Sequence, residues 1–432
     1  MRVEPGKRWR NWGRSQESHP QHIVRASSPD EVAEAVRFAR ERSLPLKTIG
    51  AGHSFTAIAA TDGVQLDIAS LDGVLGVDGN LVTLGAGTNL FQLPALLGEH
   101  GLALENMGDI DRQTIAGAIS TGTHGTGARF GGIATQVEAM TLVTADGSVL
   151  PVGPDLLPAA RVGLGALGVI TDVTLRCVPD FVMHAVERPE PLEEVLDGWL
   201  ERAASVDHFE FYWFPHTEQA LTKTNTRMPA DTPRKPQHPV AAWIDDELMP
   251  NGLYVLLCRL GMIAPGTTPP LNRLANRLVA ERQVTDGWHE VFTSPRRVRF
   301  REMEYALPVE AVPEALRAIR AAIDANGWRV TFPVEVRVAA ADENWLSTAY
   351  GRQTGYIAVH RYYKEDPTEY FEALEAIARE HGGRPHWGKM HFRTADDLRP
   401  AYPHFDDFLA VRDRLDPDRV FANDYLERVL GA

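Results

Sequence analysis

Two stretches of small residues constrain this chain more than anything else in it. The first is Ile49-Gly50-Ala51-Gly52-His53-Ser54-Phe55. The second is Thr114-Ile115-Ala116-Gly117-Ala118-Ile119-Ser120-Thr121-Gly122-Thr123-His124-Gly125-Thr126-Gly127. Backbone so bare of side chains can turn its N–H groups toward an anion and approach it closely. Ser54 and the threonines add hydroxyl donors. Either loop alone reads equally well as a tight turn, but two of them, far apart in the chain, can clamp a pyrophosphate from both sides. Neither is the dinucleotide fingerprint. Gly85-Ala86-Gly87 begins like one, but Leu90 stands where its third glycine belongs, and no Gly-Lys-Ser or Gly-Lys-Thr occurs. A Rossmann domain and a Walker-type NTPase are therefore not supported.

The surrounding pattern alternates helix and strand. Ser28-Pro29-Asp30-Glu31 predicts a helix start with a capping box, followed by Val32, Ala35, Val36 and Ala39 at helical spacing. Residues 44–49 and 64–68 read as strands. Turns at 78–80 and 145–147 predict two hairpins, 74–84 and 137–152. Residues 90–100 read as a helix capped by Asn89. Beyond about residue 180 the aromatic run Phe209-Glu210-Phe211-Tyr212-Trp213-Phe214 predicts a strand, as do 253–260, 298–305, 330–339 and 356–363. Residues 217–250 read as a polar, proline-rich excursion, and 309–326 and 368–381 as helices. Strands interleaved with helices imply an α+β architecture.

At 432 residues the chain is long enough for two or three domains and an enclosed cavity. Its formal net charge of −14 disfavours nucleic acid and anionic membranes as partners. No apolar run approaches the roughly 20 residues that span a bilayer, and Met1-Arg2-Val3-Glu4-Pro5 opens no signal peptide. Two cysteines, Cys177 and Cys258, are too few for a disulfide framework or a thiolate zinc site and fit a reducing, cytoplasmic setting.

From the residues around Asn11-Trp12 to Val429-Leu430 the chain resembles the vanillyl-alcohol-oxidase-type (PCMH-type) FAD-linked oxidoreductases. Within them it resembles the aldonolactone oxidase branch, with the alditol oxidases as relatives. The resemblance rests on Gly50–Phe55, Ala116-Gly117 with Thr121–Gly125, Leu164-Gly165-Ala166-Leu167-Gly168-Val169-Ile170-Thr171, Glu335-Val336-Arg337, Arg384-Pro385-His386-Trp387-Gly388-Lys389 and Asn423. It implies an FAD-binding domain of two small subdomains over 1–178. A cap domain with a large antiparallel sheet would follow over 179–384, and a segment from 385 to 432 would return to the flavin. The reaction implied is FAD-dependent oxidation of an aldonolactone, such as L-gulono-1,4-lactone or D-arabinono-1,4-lactone, with oxygen or another molecule as electron acceptor.

Such chemistry needs the substrate C–H against flavin N5, a base for the hydroxyl proton, and positive charge near the reduced flavin. The resemblance makes His53 the covalent attachment point for FAD. It places Ile49, Gly50, Ala51, Gly52, Ser54, Phe55, Gly108, Asp109, Thr114, Gly117, Thr121, Gly122, Thr123, His124, Val169, Ile170 and His386 around the cofactor. Glu335 and Arg337, two apart on a strand, share a face. A solvated cross-strand ion pair is the bland reading. The resemblance instead makes Glu335 the residue that binds or deprotonates substrate hydroxyls and Arg337 the one that holds developing negative charge. Lys389 falls beside the flavin pyrimidine, Asp109 and His360 at substrate contacts, and Gly108 where oxygen access is controlled.

Some segments invite other readings. His208 and Glu210 share a strand face near His216, yet no third partner is fixed and an aromatic core strand fits better. Lys389-Met390-His391 beside His386 is no zinc pattern. Arg296-Arg297-Val298-Arg299-Phe300-Arg301 reads as a solvated edge rather than a nucleic-acid contact. Two rival functions remain: an alditol or xylitol oxidase on the same scaffold, and a flavin-binding module without catalysis. A mere binder has no need of Glu335, Arg337 and Lys389 together.

Overall fold

The computed structural model describes residues 1–237, 254–294 and 297–432. Its N-terminal part holds two larger sheets besides two two-stranded ones. Strands Arg2–Pro5, His22–Arg25, Val64–Asp67 and Leu46–Ile49 form the first, in that order. The second is five-stranded, in the order Val149–Pro151, Val137–Val143, Val169–Arg176, Leu81–Gly85 and Val74–Asp78. Both predicted hairpins are present, with Val77 opposite Val82 and Val143 opposite Val149. Gly147, at φ +81°, supplies the left-handed turn residue, and Asp146 accepts from the Ser148 backbone at 2.9 Å.

The helix Pro29–Glu41 starts where Ser28 accepts from the Glu31 backbone N–H, and it buries Val32, Ala33, Ala35, Val36 and Ala39. The expected capping box is only half formed. The Glu31 carboxylate accepts instead from the N-terminal ammonium of Met1 at 2.7 Å and from Ser27 N at 2.8 Å, because the first strand starts beside this helix. The segment after Asn89 is a short 3-10 turn running into the helix Leu93–Gly98, with a full Asn89–Gln92 capping box.

An eight-stranded sheet follows. Its order is Arg282–Gly287, Phe181–Pro191, Gln219–Pro229, His208–Trp213, Val334–Ala339, Thr354–Tyr362, Phe300–Pro308 and Arg384–Pro385. Helices Val312–Ala325 and Thr368–Glu380 bury apolar faces beside it, and the core there includes Trp199, Phe211, Leu316, Ile357 and Phe371.

Two expectations fail. Residues 219–229, read as part of an excursion, form a long strand paired with both 181–191 and 208–213. Its polar side chains are held by the neighbours: Thr222 Oγ1, for instance, donates to Arg188 O at 3.0 Å. The rest of that excursion, from 238 to 250, lies outside the described residues, as do Leu253 and Arg296. Second, 253–260 was expected as a strand, but Tyr254–Ile263 is a helix. A short apolar run does not separate the two periods. The helix is seated by Cys258 and Gly261, three apart, against Thr331 and Phe332.

Residues beyond 386 return to the N-terminal core. Trp387, Leu398, Phe408, Phe421 and Leu426 pack in one cluster with Val36, Leu66, Leu84 and Val173. Asn423 caps the helix Asp424–Leu430 and donates to the carbonyls of Ala57 and Ala60, each at 2.9 Å. Both cysteines are buried and free, and no helix among the described residues is long and apolar enough to cross a membrane.

Candidate active site: two joined cavities and a buried charge network

The two glycine-rich loops meet. A Cβ on Gly50 would come within 2.5 Å of Thr114 Oγ1, so only glycine allows the loops this close. Gly52 has φ +69° and lies against Trp9, and Gly122 has φ +75°. Between the loops is a narrow cavity of about 120 Å³. It is lined by Ile49, Gly50, Ala51, Gly52, His53, Ser54, Thr114, Gly117, Thr121, Val169 and Ile170 from the predicted set. One wall comes from the strand Leu46–Ile49 and the opposite wall from Val169–Arg176, so the slot lies between the two N-terminal sheets. Thr114 caps the short helix Ile115–Ser120 by accepting from Gly117 N.

A second cavity, of about 490 Å³, opens from the first. The two share His53, Ser54, Gln113 and Thr121. Phe55, Gly108, Asp109, Thr123, His124, Glu335, Arg337, His360, His386 and Lys389 all line this larger space. Of the predicted residues only Gly122 lines neither cavity; its role is the turn its φ requires.

His53 sits at the junction. Its ring stacks on Trp12 at 5.5 Å. Burial first, then the charges of Lys389 and Arg112, push its pKa down to about 4. The imidazole is therefore neutral at ordinary pH and carries a nucleophilic lone pair.

Glu335 and Arg337 share the cavity face of the strand Val334–Ala339, as their spacing required. Arg337 is buried within reach of three carboxylates. It pairs with Glu335, stands 3.0 Å from Glu210 in an ion pair without hydrogen-bond alignment, and lies 3.5 Å from Asp109. Burial alone would weaken the guanidinium's hold on its proton, but Glu335, Asp109 and Glu210 more than reverse this and raise its pKa. Glu210, set aside as part of an aromatic strand, is thus part of the site. Its strand neighbour His208 faces Thr126 O and Arg227, and His216 stands apart beside the Val330 N–H.

Lys389 is carried by a turn pinned to the rest of the site. Phe55 N donates to Gly388 O at 2.7 Å, His386 N to Glu304 O at 3.0 Å and Met390 N to Glu302 O at 2.9 Å. The Lys389 ammonium pairs with Glu302 and lies 5.4 Å from the centre of the Phe55 ring. Burial would lower its pKa, yet Glu302 and Glu304 raise it, so it stays a cation.

Glu302 and Glu304, two apart on Phe300–Pro308, line the same cavity and were not anticipated. Burial pushes both carboxyls up; Lys389 and His360 outweigh it for Glu302, and His124 and Lys389 for Glu304, so both lie below the usual carboxylate range. A signal was available in the sequence: Glu-x-Glu inside an otherwise strand-like run needs cationic partners if that face is buried.

His124, Glu304 and His386 bring potential metal ligands within 4.8 Å of one another, a grouping the sequence did not suggest. The contacts favour a hydrogen-bonded network there rather than a metal site. Gly388 N donates to His386 Nδ1 at 3.0 Å, and the ring is neutral because burial pushes its pKa down to about 4. Its proton then resides on Nε2, leaving that nitrogen no lone pair for a metal. His124 contacts Gly125 O at 2.9 Å and Glu304 at 3.1 Å and stacks on Tyr356.

Comparison with known proteins defines the class first. Residues 20–153 match the family model for an FAD binding domain. The fold is that of cholesterol oxidase from Brevibacterium sterolicum, with a TM-score of 0.85 at 18% identity, covering 99% of this chain and 97% of that one. More narrowly, residues 173–429 match the D-arabinono-1,4-lactone oxidase model, and the chain belongs to that family. It is 46% identical to the L-gulono-1,4-lactone dehydrogenase of Mycobacterium tuberculosis, over 98% of this chain and 99% of the relative. It is 36% identical to the L-gulonolactone oxidase of Bos taurus, over 98% of each. It is 31% identical to an alditol oxidase of a Streptomyces species, over 97% of this chain and 98% of the relative.

Proposed function

We propose that this chain is an FAD-dependent oxidoreductase that oxidises a ring CH–OH of an aldonolactone, with FAD in the slot between the glycine loops and substrate in the larger cavity. The observation carrying this reading is that two cations, the buried Arg337 and the half-buried Lys389, stand in the cavity that shares His53 and Thr121 with the slot. The slot suits FAD because Gly50 lets the two loops approach each other, Gly52 takes the left-handed turn beside it, and Thr114 and Ser54 supply donors. The chemistry that bound FAD supplies is removal of two electrons with the carbinol hydrogen. His53, neutral and held on Trp12, is the side chain we assign to a covalent link. Residues 1–178, 179–384 and 385–432 are our proposed division into cofactor, cap and returning segments.

The remaining work falls to the chain's own groups. Glu335 takes the hydroxyl proton while Arg337 binds the substrate oxygen and stabilises the negative charge developing on it. Asp109 and Glu335 accept hydroxyl hydrogen bonds while Arg337 holds them in place. Lys389 keeps a positive charge in the wall next to the junction. His360 presents Nε2 to the cavity side and holds Nδ1 against Pro333 O at 3.1 Å. Phe300, Phe332 and Phe55 exclude water around these charges.

The test is anaerobic bleaching of the flavin absorbance by L-gulono-1,4-lactone, D-arabinono-1,4-lactone and xylitol, followed by air. Bleaching by a lactone is expected. Bleaching by xylitol alone transfers the assignment to an alditol substrate, and a colourless purified chain removes the flavoenzyme reading. Colour returning in air identifies oxygen as an acceptor; colour returning only with an added dye identifies a dehydrogenase.

A further inference from the structure

The strand Phe300–Pro308 carries two acids, Glu302 and Glu304, into a cavity where an uncompensated charge would cost several kcal/mol. Each is 6% exposed or less. Glu304 is matched by His124. Glu302 does something more, because its two oxygens are divided between two different elements. One meets the Lys389 ammonium on the 386–390 turn; the other lies 3.5 Å from His360 Nε2 on the adjacent strand Thr354–Tyr362.

A second contact orients the His360 ring. Its Nδ1 faces the carbonyl of Pro333 at 3.1 Å, and a carbonyl can only accept, so Nδ1 bears hydrogen and Nε2 is the nitrogen turned to Glu302. Phe300 and Phe332 pack against the same ring, at 5.0 and 6.0 Å between centroids, and hold it in this orientation. Lys389, Glu302 and His360 therefore form one unit that crosses three chain segments, and Glu302 is its only member bonded to both others.

We propose that Glu302 is a positioning residue for the oxidation. It locks the Lys389 ammonium and the His360 ring into the cavity wall and offsets the lysine's charge, so that it sets the electrostatic field the site presents to flavin and substrate. The proposal rests on the reading of this cavity as the flavin-facing substrate site. Removing the Glu302 charge while keeping its shape should leave the wall too positive; removing Lys389 as well should return it to balance.

The experiment uses the purified flavoprotein and titrates it with sulfite, which adds to oxidised flavin more tightly as the local field becomes more positive. Glu302→Gln is expected to tighten sulfite binding about tenfold, the order for one uncompensated charge in a partly screened interior. Glu302→Asp should stay within about twofold of wild type, as the charge is kept. The double variant Glu302→Gln with Lys389→Met should return to the wild-type affinity. If Glu302→Gln does not accumulate as a folded flavoprotein, the aspartate and double variants carry the test, since each preserves net charge. Sulfite affinity unchanged in Glu302→Gln overturns the proposal. So does a double variant as tight as Glu302→Gln, or, if only the charge-preserving pair folds, either of them departing more than about threefold from wild type, beyond what a preserved charge allows. A chain that carries no flavin removes the functional reading and this proposal with it. A flavoprotein whose sulfite affinity does not respond removes the proposal alone.

Discussion

Arg337→Met tests the charge arrangement most directly. The guanidinium is buried, with Glu335, Glu210 and Asp109 around it. Methionine replaces only the stem of the side chain and leaves those three carboxylates without the guanidinium between them. A unit charge pair at roughly 4 Å is worth about 4 kcal/mol at an effective dielectric near 20. Three such attractions are not additive, because burying the arginine already opposes them. Breaking one buried pair typically costs about 3–5 kcal/mol, and with three acids uncovered the loss should fall in the upper part of that range. The same change removes a cation from the reacting region, which should slow anaerobic flavin reduction by roughly 100-fold or more. Arg337→Lys separates the two effects. It keeps the charge, but one ammonium cannot reach Glu210, Glu335 and Asp109 with the geometry of a planar fork. It should regain much of the rate that depends on the cation, and only part of the stability, because some of the three acids stay uncovered. The assays are equilibrium urea unfolding followed by circular dichroism and stopped-flow reduction with the active lactone. A methionine variant with wild-type unfolding and wild-type reduction would refute the argument that these acids depend on Arg337.

Other substitutions probe separate parts of the site. His53→Ala should leave any FAD extractable by acid precipitation, whereas the wild-type colour should stay with the polypeptide; colour washing out of the wild type would overturn the covalent assignment. Attachment to apoprotein should hold steady as pH falls until it nears about 4, where the ring protonates; a loss near pH 6.5, the ordinary histidine value, would contradict the effect of burial. Glu335→Gln should raise KM and slow reduction while leaving flavin content unchanged, because the slot is formed elsewhere. Lys47 is buried against the carbonyls of Gly165 and Phe421, and burial, followed by the charge of Arg412, pushes its pKa down to about 7. An unfolded lysine still binds its proton between that value and 10.5, so stability should rise with pH across this window. Lys47→Met should flatten that rise in urea unfolding measured at successive pH values, and a slope identical to wild type would exclude Lys47 as its source.

Local chemistry explains what could be read from the chain. The glycine loops are legible because φ above zero and close backbone approach leave glycine as the available residue at positions such as Gly50 and Gly52. Glu335 and Arg337 could be placed on one face because strand periodicity is two. The same rule applied to Glu302 and Glu304 and would have flagged them. Their partners, however, come from 360, 389 and 124, and no local pattern reports pairing across such separations. Arg337 meeting Glu210 is likewise a product of strand order in the large sheet. The strand 219–229 was hidden because its threonines and asparagine look like loop residues until neighbouring strands accept their hydrogen bonds. The helix 254–263 was hidden for the opposite reason, an apolar run with no polar phase to reveal its period.

The turn bearing Lys389 is held by Phe55, by the strand 300–308 and, through Trp387, by the Leu346 carbonyl and Tyr425. That puts completion of the site late in the order of biosynthesis. A ribosome delivers both glycine loops hundreds of residues before the lysine turn, so a half-made chain has the parts of a cofactor slot but not the wall that stabilises charge. The N-terminal core likewise takes in Phe408, Phe421 and Leu426, which are made later still. The charged wall is thus a property of the finished fold.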